Sequence, residues 1–511
     1  MTRVIHPIPM TVLLGLFVGI AAWAAWSTGA AAAAPAGVPA GSVIYTKDKP
    51  PKTPALEELP LKESVSQYGI TWTFDKPARV GRFITGDFYV VGPVTISAIT
   101  PEPKDGRNGS CLNIRNGEKA GFDSRHGSEA KGGRFDPKLF LAPPIRLKPG
   151  DSLSSSISLK EIGKAKKLLW SGGTNVTPVE TVAVLTCLAA PAPADAFRPS
   201  YVGGSQRLYL ARDLKRDLLP RLSREGVNFT CDHFGKFTIQ DVAGWCQRPW
   251  IDVVLDEFTV PVANMPAYGR EFVRVVGVAS LALCLDFPPQ EKEPLLINFV
   301  QIGIDLWGMA GQGGQPSSWG AMGGHGNGRK WPILFAGMML GDAEMQAPLK
   351  KYPYVKFSED TQTMFGPSWT GAKVVWAGHS GKDGATAKHP DRGAYEHLQP
   401  ADWKGNTGEN YRRCCTSNAW VGEALAARIL HAEKVWDHDA FFAYNDRWMT
   451  EDDTAAVAKI KEAKGWDYSA DWGRQGSVWD PFVKDLWKKY RDNLPPAPDG
   501  AKTPKAAETW K

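Results

Sequence analysis

The chain has 511 residues, 43% hydrophobic and 22% charged, an ordinary globular composition at a length that suits two domains with cores of their own better than one. The formal net charge of +6 is spread over acidic and basic residues mixed throughout, and without a basic block nucleic acid is a poor partner class. Twenty tryptophans favour core packing one by one, but their flat faces also suit sugar rings.

In chain order, a lone Arg3, an apolar run from Met10 to Trp26 and small residues around Ala30 to Ala34 predict an export signal over 1–34. The alternative is an uncleaved anchor, since the run is nearly long enough to span a bilayer. Either reading puts the rest outside the cytoplasm, periplasmic or extracellular, and no later stretch is apolar for long enough to cross a membrane. Residues 35–64, rich in Pro, Lys and Gly, read as a flexible arm.

Strand signals follow. In "YGITWTFD", Ile70, Trp72 and Phe74 share one face and Thr71, Thr73 and Asp75 the other. "GDFYVVGPVTISAI" and "VETVAVLTCL" are rich in β-branched residues, and "IRLKPGDSLSSSIS" places strands either side of a Pro-Gly-Asp turn. Residues 65–190 are therefore expected to form an antiparallel β-sandwich, with 191–204 as linker.

Beyond the linker the apolar period becomes helical. Tyr268, Phe272, Val275, Ala279 and Leu283 form one stripe behind Pro266, and Leu295, Phe299, Ile302, Leu306 and Ala310 form a second, together an αα-hairpin. Further helices are expected at about 329–340, 417–433, 438–449 and 480–491, giving a multidomain α+β fold whose second part, 205–492, is an α/α-toroid-like domain. The weakly periodic segment 352–410 has the length of functional loops, and 493–511 reads as a disordered tail.

Seven cysteines is an odd number for an oxidising compartment. Cys111 with Cys187, and Cys231 with Cys246, are candidate pairs, whereas the adjacent Cys414 and Cys415 are expected to stay thiols or bond distant partners, because a bond between neighbours is strained. Cys231, His233 and Cys246 lack the paired spacing of a zinc site, and no metal or other cofactor is expected. His379, His389 and His397 fall in the long loop, where solvation is the default, and His438 reads as a helix-start residue.

Two stretches concentrate polar chemistry. In "GGHGNGRKWPILFAG", His325 and Asn327 lie on a glycine loop that opens a helix carrying Arg329 and Lys330. A nucleotide loop is excluded, since Arg329 occupies the lysine position, no Ser/Thr follows it and no strand precedes it. In "GENYRRCCTSNAWVGEAL", Glu409, Asn410, Tyr411, Arg412 and Arg413 form a polar loop ahead of a helix capped by Thr416 or Ser417. These groups suit β-elimination from a uronate: Asn327, Arg329 and Arg412 hold the carboxylate, while His325 and Tyr411 share proton abstraction and donation. Lys330, Arg413, Glu409, Asn410 and Trp319 are candidate substrate contacts.

A β module joined to a toroid, with a Gly-His-Gly-Asn-Gly-Arg-Lys loop and a Tyr-Arg-Arg-Cys-Cys-Thr loop, resembles exported bacterial proteins built like the α/α-toroid polysaccharide lyases. The resemblance implies an acidic polysaccharide such as alginate, glucuronan or a heparin-like chain as partner, cleaved without a cofactor. An inverting glycoside hydrolase using two of Asp305, Glu409, Glu423, Asp437 and Asp439, or a non-catalytic carbohydrate-binding surface protein, remains the alternative.

Overall fold

The computed structural model describes residues 43–497 apart from 116, 118, 127–133, 163–176, 205–206, 233, 254–261, 267, 313–318 and 406. The expected export signal, the first eight residues of the arm and most of the tail therefore lie outside the described residues; the rest of the arm is not the loose segment expected, since it holds a short helix at Leu56–Glu58, the buried Leu59 and the start of the first strand at Leu61. Among the described residues no helix is long and apolar enough to cross a membrane.

Strands come first: β1 (Leu61–Gln67), β2 (Ile70–Arg82), β3 (Phe88–Val91), β4 (Val94–Thr100), β5 (Ser110–Leu112), β6 (Ile145–Leu147), β7 (Ser152–Ser158) and β8 (Val179–Leu188). They form one curled eight-stranded sheet in the order β5-β7-β8-β3-β2-β4-β6, with β1 alongside β2. Pairing is antiparallel except where β3 meets β8. The alternation in β2 sends Ile70, Trp72 and Phe74 into the sheet's own core. Across the Pro-Gly-Asp turn, β6 and β7 do not pair with each other: β6 joins β4, and β7 joins β5 and β8.

Strand β8 is apolar on both faces for a reason visible in its contacts. Ala183, Leu185 and Cys187 pack into the sheet core, whereas Val182 and Val184 pack into the larger core formed with the helices. A strand covered on both sides reads as a continuous apolar run rather than an alternating one. After it, Arg198 crosses between the two parts, donating to Asp87 at 2.8 Å and to Asp305 at 2.6 Å, with all three side chains buried.

The longer helices are α1 (Ile239–Trp245), α2 (Gly269–Cys284), α3 (Pro289–Ala310), α4 (Lys330–Leu340), α5 (Ser417–Ile429), α6 (Asp439–Thr450), α7 (Thr454–Lys464) and α8 (Pro481–Tyr490). The expected hairpin is α2 and α3. Every residue of α2 except Arg270 is buried, so it is a core helix rather than a surface one. It crosses α5 at two glycines: a Cβ on Gly277 would stand 2.9 Å from the Cα of Gly422. The class is thus mixed α+β, strands before helices, and the described residues belong to one compact unit.

That crossing has no room for a side chain. Gly277→Val is expected to lower the unfolding free energy by about 1–3 kcal/mol through overpacking, read from the denaturant midpoint, and an unchanged midpoint would refute the close crossing.

Candidate functional site

The glycine loop before α4 is a packing device before it is a site. Gly323 and Gly328 have φ of +55° and +86°, where a side chain is strained. The loop's main chain lies directly on the first turn of α2, so that a Cβ on Gly269 would stand 2.0 Å from the Gly324 carbonyl oxygen. The N–H of Gly324 donates to the Tyr268 hydroxyl at 3.0 Å, and the Tyr268 ring meets the His325 ring edge to face at 4.8 Å.

The second polar stretch is helical, not a loop. Residues Thr407–Tyr411 are α-helical, Arg412–Thr416 form a π-turn, and α5 continues from Ser417. Thr416 and Ser417 therefore cap nothing; the Thr416 hydroxyl donates back to the carbonyls of Tyr411 and Arg412 inside the widened turn. Cys414 and Cys415 are bonded to each other within that turn, and Cys111, Cys187, Cys246 and Cys284 are buried free thiols, so neither of the expected long-range pairs forms. Burial pushes the thiols of Cys111, Cys187 and Cys284 up to about 12.

The two stretches meet. The Asn327 amide donates to the Cys415 carbonyl at 2.9 Å and accepts from the Ser358 hydroxyl at 2.8 Å, tying the glycine loop to the π-turn. A Cβ on Gly323 would lie 2.5 Å from the Tyr411 ring and 3.0 Å from Nε2 of His379, whose own ring meets that of Tyr411 edge to face at 4.5 Å. His379 is held by its main chain, the carbonyl accepting from Gly323 N–H at 2.7 Å, and by a 3.1 Å contact of Nδ1 with the Ser380 hydroxyl. Burial first, then Arg392 and His325, lower its pKa to about 4, so the imidazole is uncharged at neutral pH.

Beside this cluster opens a cavity of about 720 Å³ lined by His325, Lys356, Asp360, Lys382, Asp383 and His438, among others. His325 and Tyr411 are half-buried; His325 lines the cavity, and Tyr411 stands off it, against Gly323 and His379. Lys356 and Lys382 are exposed and form no ion pair among the described residues. Among the described residues no three His, Cys, Asp or Glu side chains are grouped to hold a metal ion, and His233 lies outside them.

No family model, curated protein or solved structure matches this chain.

The geometry of the site moves most of the expected binding groups out of reach of a ligand. Arg329 is 3% exposed, grips Asp252 through two hydrogen bonds of 3.0 and 2.9 Å, and covers the Phe272 ring. Lys330 is buried against Asp360 and the Trp436 carbonyl. Glu409 accepts from Tyr395, Arg412 and Arg413, and Arg413 also reaches Asp453, all of them buried. Trp319 is buried, donating to Asp252 and stacked on Phe357; Asn410 accepts from the Tyr468 hydroxyl. These groups brace the site. Asp305 and Glu423 are likewise buried, while Asp437 and Asp439 are exposed and line no part of the cavity.

Under the loop, Gly328 N–H donates to Glu359 at 2.5 Å, and Glu423 lies beside that carboxyl. Burial first pushes both upward, Glu423 the further, with Glu359 and Asp360 adding to it at Glu423 and Asp360 at Glu359, so the pair retains a proton at neutral pH.

Two outcomes are expected. Arg329→Met should cost about 3–5 kcal/mol of stability by leaving Asp252 charged and alone, measured by chemical denaturation; unchanged stability would mean that the pair is dispensable. A carboxyl raised on folding stabilises below its unfolded pKa and loses that contribution as pH rises through the folded one. Glu423→Gln should therefore flatten the fall in melting temperature above about pH 4.5, and an unaltered pH profile would refute the shared proton.

Proposed function

We propose that this protein is an exported enzyme that cleaves an acidic, uronate-containing polysaccharide by β-elimination. The observation that carries the reading is the gathering of His325, His379 and Tyr411 around Gly323, at the edge of a cavity that presents the unpaired cations Lys356 and Lys382. The sandwich-plus-toroid architecture belongs to the same proposal.

Removing the C5 proton of a uronate leaves charge on the adjacent carboxylate, so cations must face that group as the charge develops. Arg329 and Arg412 are engaged inside the protein, and the exposed Lys356 and Lys382 take this role instead. Tyr411 and His325 divide the proton work: one accepts the C5 proton, the C4–O4 bond breaks with its electron pair going to the leaving oxygen, and the other protonates that oxygen. The product carries a C4=C5 double bond. His379, uncharged and against the Tyr411 ring, supports the phenol without adding charge. Asn327 acts as a positioning residue through the Cys415 carbonyl.

Hydrolysis is the second reading, because Asp360 and Asp383 line the same cavity. Incubation with alginate, glucuronan, glycosaminoglycans and neutral glycans separates the two: β-elimination gives the ultraviolet absorbance of an unsaturated uronate, hydrolysis only new reducing ends. Tyr411→Phe should lower kcat by about 10²–10⁴ with the melting temperature unchanged, and undiminished turnover would remove Tyr411 from the chemistry. A His379 pKa lowered on folding contributes stability that is complete above about 6.5 and is lost as pH falls through about 4. His379→Gln should therefore be less sensitive to acid than the parent over that window, followed by thermal melts.

A further inference from the structure

Residues 378–393 form a closed surface loop whose ends are held together. Ser380 N–H donates to the Arg392 carbonyl at 2.8 Å, and a Cβ on Gly378 would stand 2.2 Å from the Gly393 carbonyl oxygen. Compact loops with joined ends keep their shape and are frequently functional.

One flank of this loop, Ser380 to Asp383, lines the cavity beside His325. Its other flank, Ala385 to Ala387 with Pro390 and Asp391, lines a second cavity of about 580 Å³ whose far wall includes Trp403, Lys404 and Gly408. The loop is thus a partition. Tyr411 follows Gly408 and Glu409, which line the second cavity, and packs against Gly323 and His379, whose neighbours Met322 and Ser380 line the first. Tyr411 itself lines neither cavity; its ring lies against residues whose chain neighbours line the first.

Charge follows the same line. Lys382, Lys388 and Arg392 lie on the partition and Lys404 on the far wall, and among the described residues none of the four forms an ion pair. Lys382, Lys388 and Lys404 are exposed. Asp383 and Asp391 leave the row positive. Several unpaired cations along one loop suit a ligand with repeated negative charges, not a single small anion.

We propose that the second cavity is an outlying subsite for the same polyuronate, so that the ligand is a chain of several acidic sugars lying across the 378–393 loop. This rests on the reading of the protein as acting on an acidic polysaccharide. Lys356 and Lys382 hold the sugar beside His325, and Lys388 and Lys404 hold sugars beyond the partition. The chain is then bound at several points, and affinity rises with its length.

The test is calorimetric binding of alginate oligomers of two and six residues to the full protein at physiological ionic strength. The hexamer is expected to bind about tenfold or more tightly than the dimer. The double variant Lys388→Ala/Lys404→Ala should lose most of that advantage while dimer affinity and melting temperature stay unchanged. A hexamer no tighter than the dimer, or a double variant that binds it as the parent does, would overturn the subsite. Length-dependent binding without any unsaturated product would keep the subsite and overturn the lyase. Absence of binding by both oligomers would overturn both.

Discussion

Main chain against main chain is the contact on which the site depends. At Gly323, Gly324 and Gly326 the loop lies within reach of the π-turn, of Tyr268 and of its own preceding segment at spacings that leave no room for a Cβ. Because the backbones touch, Asn327 can reach the Cys415 carbonyl, and His325, His379 and Tyr411 are drawn to one place. Side-chain chemistry is added to a scaffold that glycines first made close-packed. The Glu359 carboxyl below and the Asp252–Arg329 pair beside it hold that scaffold from the other side.

Much of the architecture could be read from periodicity. The stripes at Tyr268–Leu283 and Leu295–Ala310 mark α2 and α3, and the alternation through Ile70, Trp72 and Phe74 marks the buried face of β2. What periodicity missed was short or nonlocal. Helix α1 has only seven residues, α7 buries just Val457 and Ile460, and the sheet order depends on pairings that no local pattern encodes. The helix through Tyr411 was hidden because "GENYRRCC" is dense in polar groups, and only the structure shows that these groups face inward to one another.

The candidate site was half readable, and the failure has one cause. Arginine beside glycine looks like a ligand grip, yet a guanidinium is also the group best suited to a buried carboxylate, with a planar fork that matches two oxygens. Arg329, Arg412 and Arg413 each have such a partner, on Asp252, Glu409 and Asp453. Those acids lie far away in sequence or are hidden by their own polarity. Among the tryptophans the one expected at the substrate misled: Trp319 is fully buried, as are Trp72, Trp331, Trp376, Trp420, Trp436 and Trp448, in keeping with core packing taken one by one. His379 was missed because a glycine-rich, charged loop gives no signal that one of its residues is buried.

The two-faced burial of β8 bears on how the chain matures. A ribosome releases Val182 and Val184 well before the helices of the larger core they belong to have been made. Until those helices arrive the nascent sheet carries an uncovered greasy side, the kind of surface that sticks to other chains. Cutting the gene at the apparent linker would leave that side permanently bare, so the strand-rich segment is a half-built object and not a module that can be moved to another protein.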